Sequence, residues 1–332
     1  MCRHSLRSIG LRRPLLLVAA GAGVYCAATP QPPKFWGFTG PWDARSDSSV
    51  RAHGGRLDAV ITGWITIDSA TGQPLLPSQY ADTLHQDTAQ FRRLALVTSW
   101  HGQRFHAGSI RALGRDAEAL NRAAGELAAY AAGSGYDGLV FDFETLERAD
   151  LDAHLRVLRA MADSARGRGV DIIAVAVPAR DTAGYPARPL LSVADAIVVM
   201  LYDQHWAGSK PGPISDPAWV RQSLRLRLAE ASPGRVIAGL PLYGYRWRSG
   251  QTADPVSFEE GERHAAAAGV ALRRDSVSHT LRSIEPDGTE TWVTDAGLLR
   301  VLIADIRAAG VHRFALWRLG QEDPAIWSGV VE

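Results

Sequence analysis

The sequence has little cysteine and little net charge, and both shortages narrow what the protein can be. Only 2 of its 332 residues are cysteines, Cys2 and Cys26. From residue 27 onward the chain therefore offers no disulfide, no thiol nucleophile and no cysteine ligand for a metal. Basic residues number 36 and acidic residues 35, so no basic surface field indicates nucleic acid as a partner.

Motifs of several enzyme classes are also absent. The 10 histidines include no His-x₃-His or His-Glu-x-x-His pair, a spacing typical of zinc hydrolases. No Gly-x-Ser-x-Gly segment provides a serine nucleophile, and no glycine-rich nucleotide loop follows the first strand-like run. These absences argue against a zinc, serine or nucleotide-dependent enzyme, and we expect no metal and no cofactor.

One long uncharged run occurs, and it lies at the N-terminus. Four arginines and no acidic residue precede residue 14, and Pro14 to Ala28 is then uncharged and mostly apolar. The run is shorter than the ~20 residues that span a bilayer, and it ends in small residues. The pattern predicts a signal peptide over residues 1–28, with an uncleaved N-terminal anchor as the alternative. We expect export to the periplasm or the cell exterior, with membrane attachment only in the second case.

Beyond residue 28, short apolar runs alternate with amphipathic stretches, a pattern typical of a parallel sheet covered by helices. Eight runs have the composition of strands: Phe35–Thr39, Ala59–Ile67, Leu94–Trp100, Gly138–Glu144, Asp171–Val177, Ala196–Tyr202, Arg235–Leu242 and Arg313–Arg318. Helical patterns cover Asp116–Ala132, Arg148–Arg166, Pro217–Ala231 and a stretch from Asp295 to Ala309. This order favours an α/β fold, the (β/α)₈ TIM barrel.

Two segments depart from the alternation. Residues 40–56 are rich in Gly, Asp, Ser and Arg, and we predict a loop there. Residues 246–290 predict one helix, Phe258–Ala268, and a hairpin that turns at residues 286–288. We interpret residues 29–332 as one barrel domain that carries residues 246–290 as a small rim insertion between strands seven and eight.

The segment from Tyr136 to Glu144 gives the strongest indication of chemistry. Alternate side chains of a strand share a face, so Asp142 and Glu144 are predicted to point into the barrel, and Phe141 and Phe143 toward the helices. The carboxyl end of a barrel strand is where TIM barrels bind substrates. Two carboxylates this close raise the pKa of one of them, which keeps a general acid protonated. Ordinary strand-end carboxylates or a helix cap are the alternative interpretation.

The same segment resembles the signature of glycoside hydrolase family 18, the chitinase-like barrels, which reads Asp-Gly-x-Asp-x-Asp-x-Glu. Asp137, Gly138, Asp142 and Glu144 match it, and Val140 replaces the middle aspartate. Three further segments are similar to family motifs in the expected order: Met200-Leu201-Tyr202-Asp203, Gly239 to Tyr245, and Phe314-Ala315-Leu316-Trp317. The resemblance covers residues 34–327 and is nearest to the bacterial branch of spore-cortex-lytic and polysaccharide-deacetylase-associated enzymes.

The resemblance implies a retaining, substrate-assisted glycosidase that acts on polysaccharides with β-linked N-acetylglucosamine, such as peptidoglycan, chitin-like oligomers or an exopolysaccharide. It implies that Glu144 is the general acid and base, that Asp142 binds the acetamido N–H, and that Tyr202 holds the acetamido carbonyl. The residues expected to bind the sugar chain are Asp203, Trp317, Trp206, Tyr243 and Trp36. For Trp36, as for Trp64 and Trp100, core packing is an equally good interpretation.

Two other functions stay open at this point. A catalytically weak or silent carbohydrate-binding barrel would share the fold and the sugar contacts. A metal-dependent lyase or phosphodiesterase barrel would need three or more metal ligands at strand ends, which the sequence does not readily supply. Val140 leaves one inward carboxylate fewer beside Asp142, so we expect a shifted pH profile and not a loss of activity. We expect a monomer whose partner is the polysaccharide.

Overall fold

Eight parallel strands form a closed barrel in the computed structural model, which describes residues 34–77, 84 and 90–331. In chain order they are β1 Lys34–Phe38, β2 Ala59–Ile67, β3 Arg92–Thr98, β4 Gly138–Asp142, β5 Ile172–Pro178, β6 Ala196–Met200, β7 Val236–Pro241 and β8 Arg313–Trp317. Because β1 pairs with both β2 and β8, the sheet closes on itself. The predicted (β/α)₈ fold is confirmed. The predicted signal peptide or anchor, residues 1–28, lies outside the described residues.

Helices connect the strands and cover the outside of the barrel. They are α1 Ala44–His53, α2 Ala107–Leu113, α3 Ala117–Gly133, α4 Leu151–Arg166, α5 Ala187–Leu190, α6 Pro217–Leu228, α7 Phe258–Ala267 and α8 Ala296–Ala308. Short 3₁₀ helices occur at Gly54–Arg56, Arg148–Asp150, Pro233–Arg235 and Pro324–Ser328. Asp116, Asp216 and Asp295 cap α3, α6 and α8, each accepting a backbone N–H of the first helical turn at 3.0 Å. Within residues 34–77 and 90–331, no helix is long and apolar enough to cross a membrane.

The loop predicted over residues 40–56 is wrong, because most of this segment is α1 and a 3₁₀ turn. Asp43 caps α1 through a backbone N–H at 3.1 Å. The buried face includes Ser46 and Ser49, and the Ser46 hydroxyl donates to the Leu319 carbonyl oxygen at 2.6 Å. A helix that buries small polar side chains by hydrogen bonding shows no apolar stripe in its sequence, and so its composition indicated a loop.

Apolar side chains fill two layers, one inside the barrel and one between the strands and the helices. The inner layer contains Trp36, Phe38, Ala59, Ile61, Leu94, Leu96, Val140, Ala174, Ala196, Val198, Ile237 and Ala315. In β4, Leu139 and Phe141 belong to the outer layer, whereas Val140 belongs to the inner one. The predicted alternation is therefore present, and it directs Asp142, the next inward position, to the mouth of the barrel.

A five-stranded antiparallel sheet and α7 form the insertion between β7 and β8. Its strands are Tyr243–Trp247, Asp254–Ser257, Arg273–Arg274, Leu281–Ile284 and Glu290–Val293. The last two form a hairpin, in which the Glu285 N–H donates to the Thr289 carbonyl oxygen at 2.9 Å. Two smaller additions follow β2 and β3: the strand Pro74–Leu75, antiparallel to β2, and a hairpin of Trp100–His101 with Arg104–Phe105. All three additions extend the barrel at the carboxyl ends of its strands.

Candidate active site

The mouth of the barrel contains a cavity of about 440 Å³. Its walls are formed by Phe38, Trp42, Trp64, Leu96, Trp100, Phe105, Asp142, Glu144, Ala176, Val198, Met200, Tyr202, Asp203 and Trp317. Apolar walls with a few converging polar groups are typical of a small-ligand site. The structure thus brings together all three predicted catalytic residues and two of the predicted sugar contacts, Asp203 and Trp317.

Asp142 and Glu144 are the acidic pair of this cavity. Asp142 ends β4 and is 8% exposed, and Glu144 follows in the next turn. Asp142 Oδ2 accepts a hydrogen bond from Thr98 Oγ1 at 3.4 Å, whereas the buried Oδ1 has no partner among the described residues. Burial raises the pKa of both carboxyl groups, and the charges of Asp142 and Asp203 raise the pKa of Glu144 further. Glu144 is therefore protonated at neutral pH, as a general acid requires.

Tyr202 and Asp203 follow β6 and line the same cavity. Burial, helped by the nearby acidic groups of Asp142, Glu144 and Asp203, raises the pKa of the Tyr202 hydroxyl, which therefore remains a hydrogen-bond donor. Asp203 has a φ of 57°, in the left-handed region. Residues other than glycine rarely adopt this conformation, and it is concentrated at functional sites.

Tyr243 supports Asp203 and does not line the cavity. Tyr243 is 5% exposed, and its hydroxyl donates to Asp203 Oδ1, to which the Tyr245 hydroxyl also donates at 3.3 Å. Asp203 is exposed as a whole residue, but its carboxylate is surrounded by protein, and this burial raises its pKa. The hydrogen bonds from the two tyrosine hydroxyls stabilise the ionised form and so oppose the rise. The structure therefore places the predicted sugar contact Tyr243 behind Asp203, where it fixes that side chain.

The three predicted sugar-binding tryptophans lie in different places. Trp317 ends β8 and lines the cavity, where its ring packs edge-on against Phe38 at a centroid distance of 5.4 Å. The peptide bond between Trp317 and Arg318 is cis. Trp36 is 6% exposed in the barrel interior, one inward position deeper than Phe38. Trp206 is 54% exposed on the loop after β6 and is not part of the cavity wall. Of these three tryptophans, only Trp317 lines the cavity that contains the acidic pair.

Three further aromatic residues in the cavity wall were not predicted: Phe38, Trp42 and Phe105. Trp42 packs edge-on against Trp64 at a centroid distance of 4.8 Å, and Phe105 against Trp100 at 5.0 Å. Trp64 and Trp100, whose sequence interpretation was open, also line the cavity. Their positions in the sequence could have indicated them. Phe38 ends a barrel strand, and Trp42 and Phe105 follow soon after strand ends, where TIM barrels bind their substrates.

A second depression of about 690 Å³ adjoins the cavity. Trp42, Trp64 and Trp100 line both, and residues 74–77 and 101–102 form much of the remaining wall. Indole faces offer flat apolar contact together with an N–H donor. The aromatic surface therefore continues from the acidic pair toward the loops that follow β2 and β3.

The fold and the paired carboxylates at its mouth define a chitinase-like (β/α)₈ barrel. YdhD of Bacillus subtilis, named as a sporulation-specific glycosylase, is 27% identical over 199 residues, which are 56% of this chain and 47% of that protein. The spore cortex-lytic enzyme SleL of Bacillus cereus has a TM-score of 0.80 at 20% identity, over 90% of this chain and 74% of that chain. A chitinase of Chromobacterium violaceum has a TM-score of 0.79 at 20% identity, over 90% of this chain and 98% of that chain.

These relatives confirm the resemblance to glycoside hydrolase family 18, on the side of the spore-cortex-lytic enzymes. No protein-family model matches the chain. The chain spans between 47% and 60% of the length of the curated relatives that it matches. At 20% identity, the two solved structures establish a shared fold.

Proposed function

We propose that the chain is a retaining glycosidase that cleaves polysaccharides containing β-linked N-acetylglucosamine. The observation that carries the proposal is the pair formed by buried Asp142 and half-buried Glu144, both raised in pKa, at the aromatic mouth of the barrel. A carboxyl group that stays protonated at neutral pH can protonate a glycosidic oxygen. The glycosylase and chitinase names of the relatives support the same class of reaction.

In the first step, Glu144 donates its proton to the glycosidic oxygen while the bond from that oxygen to the anomeric carbon breaks. The carbonyl oxygen of the substrate's own 2-acetamido group attacks the anomeric carbon and forms a cyclic oxazolinium ion. The leaving sugar departs with a new hydroxyl group, and Glu144 is left ionised. No carboxylate of the protein acts as the nucleophile.

Asp142 and Tyr202 suit the acetamido group in this step. Asp142 lines the cavity, where its carboxylate can accept a hydrogen bond from the acetamido N–H. An ionised Asp142 also stabilises the positive charge of the oxazolinium ion. The Tyr202 hydroxyl, kept protonated by its raised pKa, can donate to the acetamido carbonyl oxygen and hold it in the attacking position.

In the second step, the ionised Glu144 acts as a base. It removes a proton from a water molecule, whose oxygen attacks the anomeric carbon and opens the oxazolinium ring. The incoming oxygen takes the face from which the leaving group departed, so two inversions give net retention of configuration. Glu144 ends the cycle protonated.

The aromatic surface favours a chain of several sugars over a single sugar. Sugar rings present C–H faces that stack on indole rings, and Trp317, Trp64 and Trp100 extend such faces from the acidic pair into the adjoining depression. Asp203, fixed by two tyrosine hydroxyls, can accept hydrogen bonds from sugar hydroxyls near the acidic pair. Peptidoglycan strands, chitin-like oligomers and N-acetylglucosamine exopolysaccharides all have this chemistry.

We also propose that the protein acts outside the cytoplasm, because residues 1–28 have the pattern of a signal peptide. N-terminal sequencing of the protein from fractionated cells is expected to begin at residue 29, in the periplasm or the medium. A protein that retains residues 1–28 in the membrane fraction would instead indicate the anchor, and one that stays in the cytoplasm would refute export.

Glu144→Gln tests the proposed reaction. The parent is expected to cleave N-acetylglucosamine oligomers or purified peptidoglycan, with products scored by mass spectrometry, and the variant to bind without cleaving. Glu126→Gln, an exposed substitution of the same chemistry on α3, is the control and should cleave like the parent. Tight binding without cleavage by the parent would favour the carbohydrate-binding barrel, and neither binding nor cleavage would refute the proposal.

A further inference from the structure

One buried side chain, from the loop that follows β5, forms hydrogen bonds to both ends of the turn that carries Glu144. Tyr185, which follows β5, is 1% exposed. Its hydroxyl donates to the Phe143 carbonyl oxygen at 2.9 Å and accepts from the Leu146 backbone N–H at 2.9 Å. Because Phe143 and Leu146 flank the turn, a single oxygen atom fixes both of its ends.

The turn itself has a conformation that needs such support. Thr145, the residue after Glu144, has a φ of 61°. A β-branched residue in the left-handed region is unfavourable, and it persists only where the surrounding structure holds it. The two hydrogen bonds of Tyr185 enclose this residue and supply that constraint.

Arg227 of α6 holds Tyr185 in turn. Arg227 is fully buried, and its guanidinium donates to the carbonyl oxygens of Tyr185 at 2.6 Å, Asp181 at 2.8 Å and Ala179 at 3.3 Å, and also to that of Pro178. A single rigid guanidinium group therefore hydrogen-bonds to most of the loop between β5 and α5. This loop has little freedom to move, so the hydroxyl at its end has a fixed position.

We propose that Tyr185 is a positioning residue for Glu144: its hydroxyl fixes the turn that directs the acid into the cavity, and Arg227 fixes Tyr185. The role rests on the proposed function of Glu144 as the acid. Without the hydroxyl, the buried Phe143 carbonyl and Leu146 N–H lose their partner, and Thr145 can relax toward an ordinary conformation. The Glu144 carboxyl group would then shift relative to a glycosidic oxygen that the rest of the cavity still holds.

Tyr185→Phe in the full chain tests this role, because it removes only the hydroxyl. We expect kcat on an N-acetylglucosamine oligomer to fall about 10- to 100-fold, with KM within about 3-fold of the parent, since a small misplacement of a reacting group can cost a hundredfold. We also expect the alkaline limb of the pH–rate profile to move to lower pH, because a looser turn exposes Glu144 to water and relieves its burial. A role confined to stability would move neither quantity.

Tyr136→Phe is the matched control. Tyr136 is also buried, at 4% exposure, but it precedes β4 and so lies at the end of the strand opposite to Glu144. This variant is expected to keep the parent's kcat and pH profile.

A second test variant carries 4-aminophenylalanine at position 185, which keeps the ring and a donor for the Phe143 carbonyl. Its kcat should lie between those of the parent and Tyr185→Phe, and it carries the test if Tyr185→Phe does not fold.

The outcomes separate this inference from the function on which it rests. If the parent cleaves and a folded Tyr185→Phe has the same kcat and pH profile, the positioning role is overturned and the glycosidase stands. If Tyr136→Phe loses as much kcat as Tyr185→Phe, the effect is general loss of stability and the role is again overturned. If the parent cleaves no oligomer or peptidoglycan, the proposed function fails, and the role of Tyr185 fails with it.

Discussion

Replacing Val140 by aspartate would place a third carboxyl group in the barrel beneath Asp142. Val140 is fully buried and pairs in the sheet with Leu96 of β3 and Ala174 of β5. On the same face of β4, Asp142 Oδ1 is buried and has no partner among the described residues. Aspartate is close to valine in size, and burial in an apolar layer would keep it protonated. Its hydroxyl could then donate to Asp142 Oδ1.

That hydrogen bond would stabilise the ionised form of Asp142. A hydrogen bond to a charged group contributes about 1.5–3 kcal/mol, which corresponds to a fall of roughly 1–2 units in the pKa of Asp142. Burial now raises the pKa of Asp142. In the proposed mechanism the active form has Asp142 ionised and Glu144 protonated, so a lower pKa of Asp142 should extend activity to lower pH. The acidic limb should move by the same roughly 1–2 units, while the alkaline limb, set by Glu144, stays nearly unchanged.

The assay is kcat/KM against pH for the parent and the variant, with the melting temperature measured to show that each is folded. Val140→Ala, which removes volume without adding a donor, is the control and should leave the acidic limb in place. Val140→Asn adds a neutral donor and should move that limb part of the way. A profile of folded Val140→Asp that coincides with the parent's would refute the reasoning.

Three further predictions concern other parts of the molecule. Tyr202→Phe should lower kcat about 10- to 100-fold with little change in KM, because it leaves the acetamido group free to turn; equal kcat would contradict its role. Trp42→Ala should weaken binding of long oligomers by about 1 kcal/mol and that of short ones by less, measured by calorimetry; an equal loss for both would contradict a role in extended binding. Gly138→Ala should lower the free energy of unfolding in urea by about 3 kcal/mol, because its Cβ would lie 2.2 Å from the Ile172 carbonyl oxygen. Gly125→Ala on α3, where a Cβ meets nothing within 4 Å, is its control and should stabilise the protein by about 1 kcal/mol.

The barrel and its acidic pair could be predicted from the sequence because both depend on local alternation. Val140 inward and Phe141 outward fix the direction of Asp142, and the end of β4 fixes its position at the mouth. Local alternation did not predict α1, because this helix buries Ser46 where an amphipathic helix normally has an apolar residue. Periodicity reports burial only when the buried residues are apolar.

The residues that line the cavity were harder to predict because they depend on depth in the barrel and on long-range packing. Trp36 lies on the inward face of β1, as predicted, but one inward position deeper in the barrel than the cavity. Phe38, the next inward residue of β1, lines the cavity instead. Tyr243 lies in a segment that resembles the family motif, yet its hydroxyl binds the Asp203 carboxylate. Nothing local to Tyr185 indicates that its hydroxyl bridges a turn 42 residues earlier in the chain.

The most direct test of the central claim is the configuration of the first product. Proton NMR during hydrolysis of an N-acetylglucosamine oligomer should show the β-anomer appearing before mutarotation, because substrate assistance retains configuration. A glucose oligomer with the same β-linkage, which lacks the 2-acetamido group, should not be cleaved. The α-anomer appearing first, or cleavage of the glucose oligomer at a comparable rate, would contradict the account.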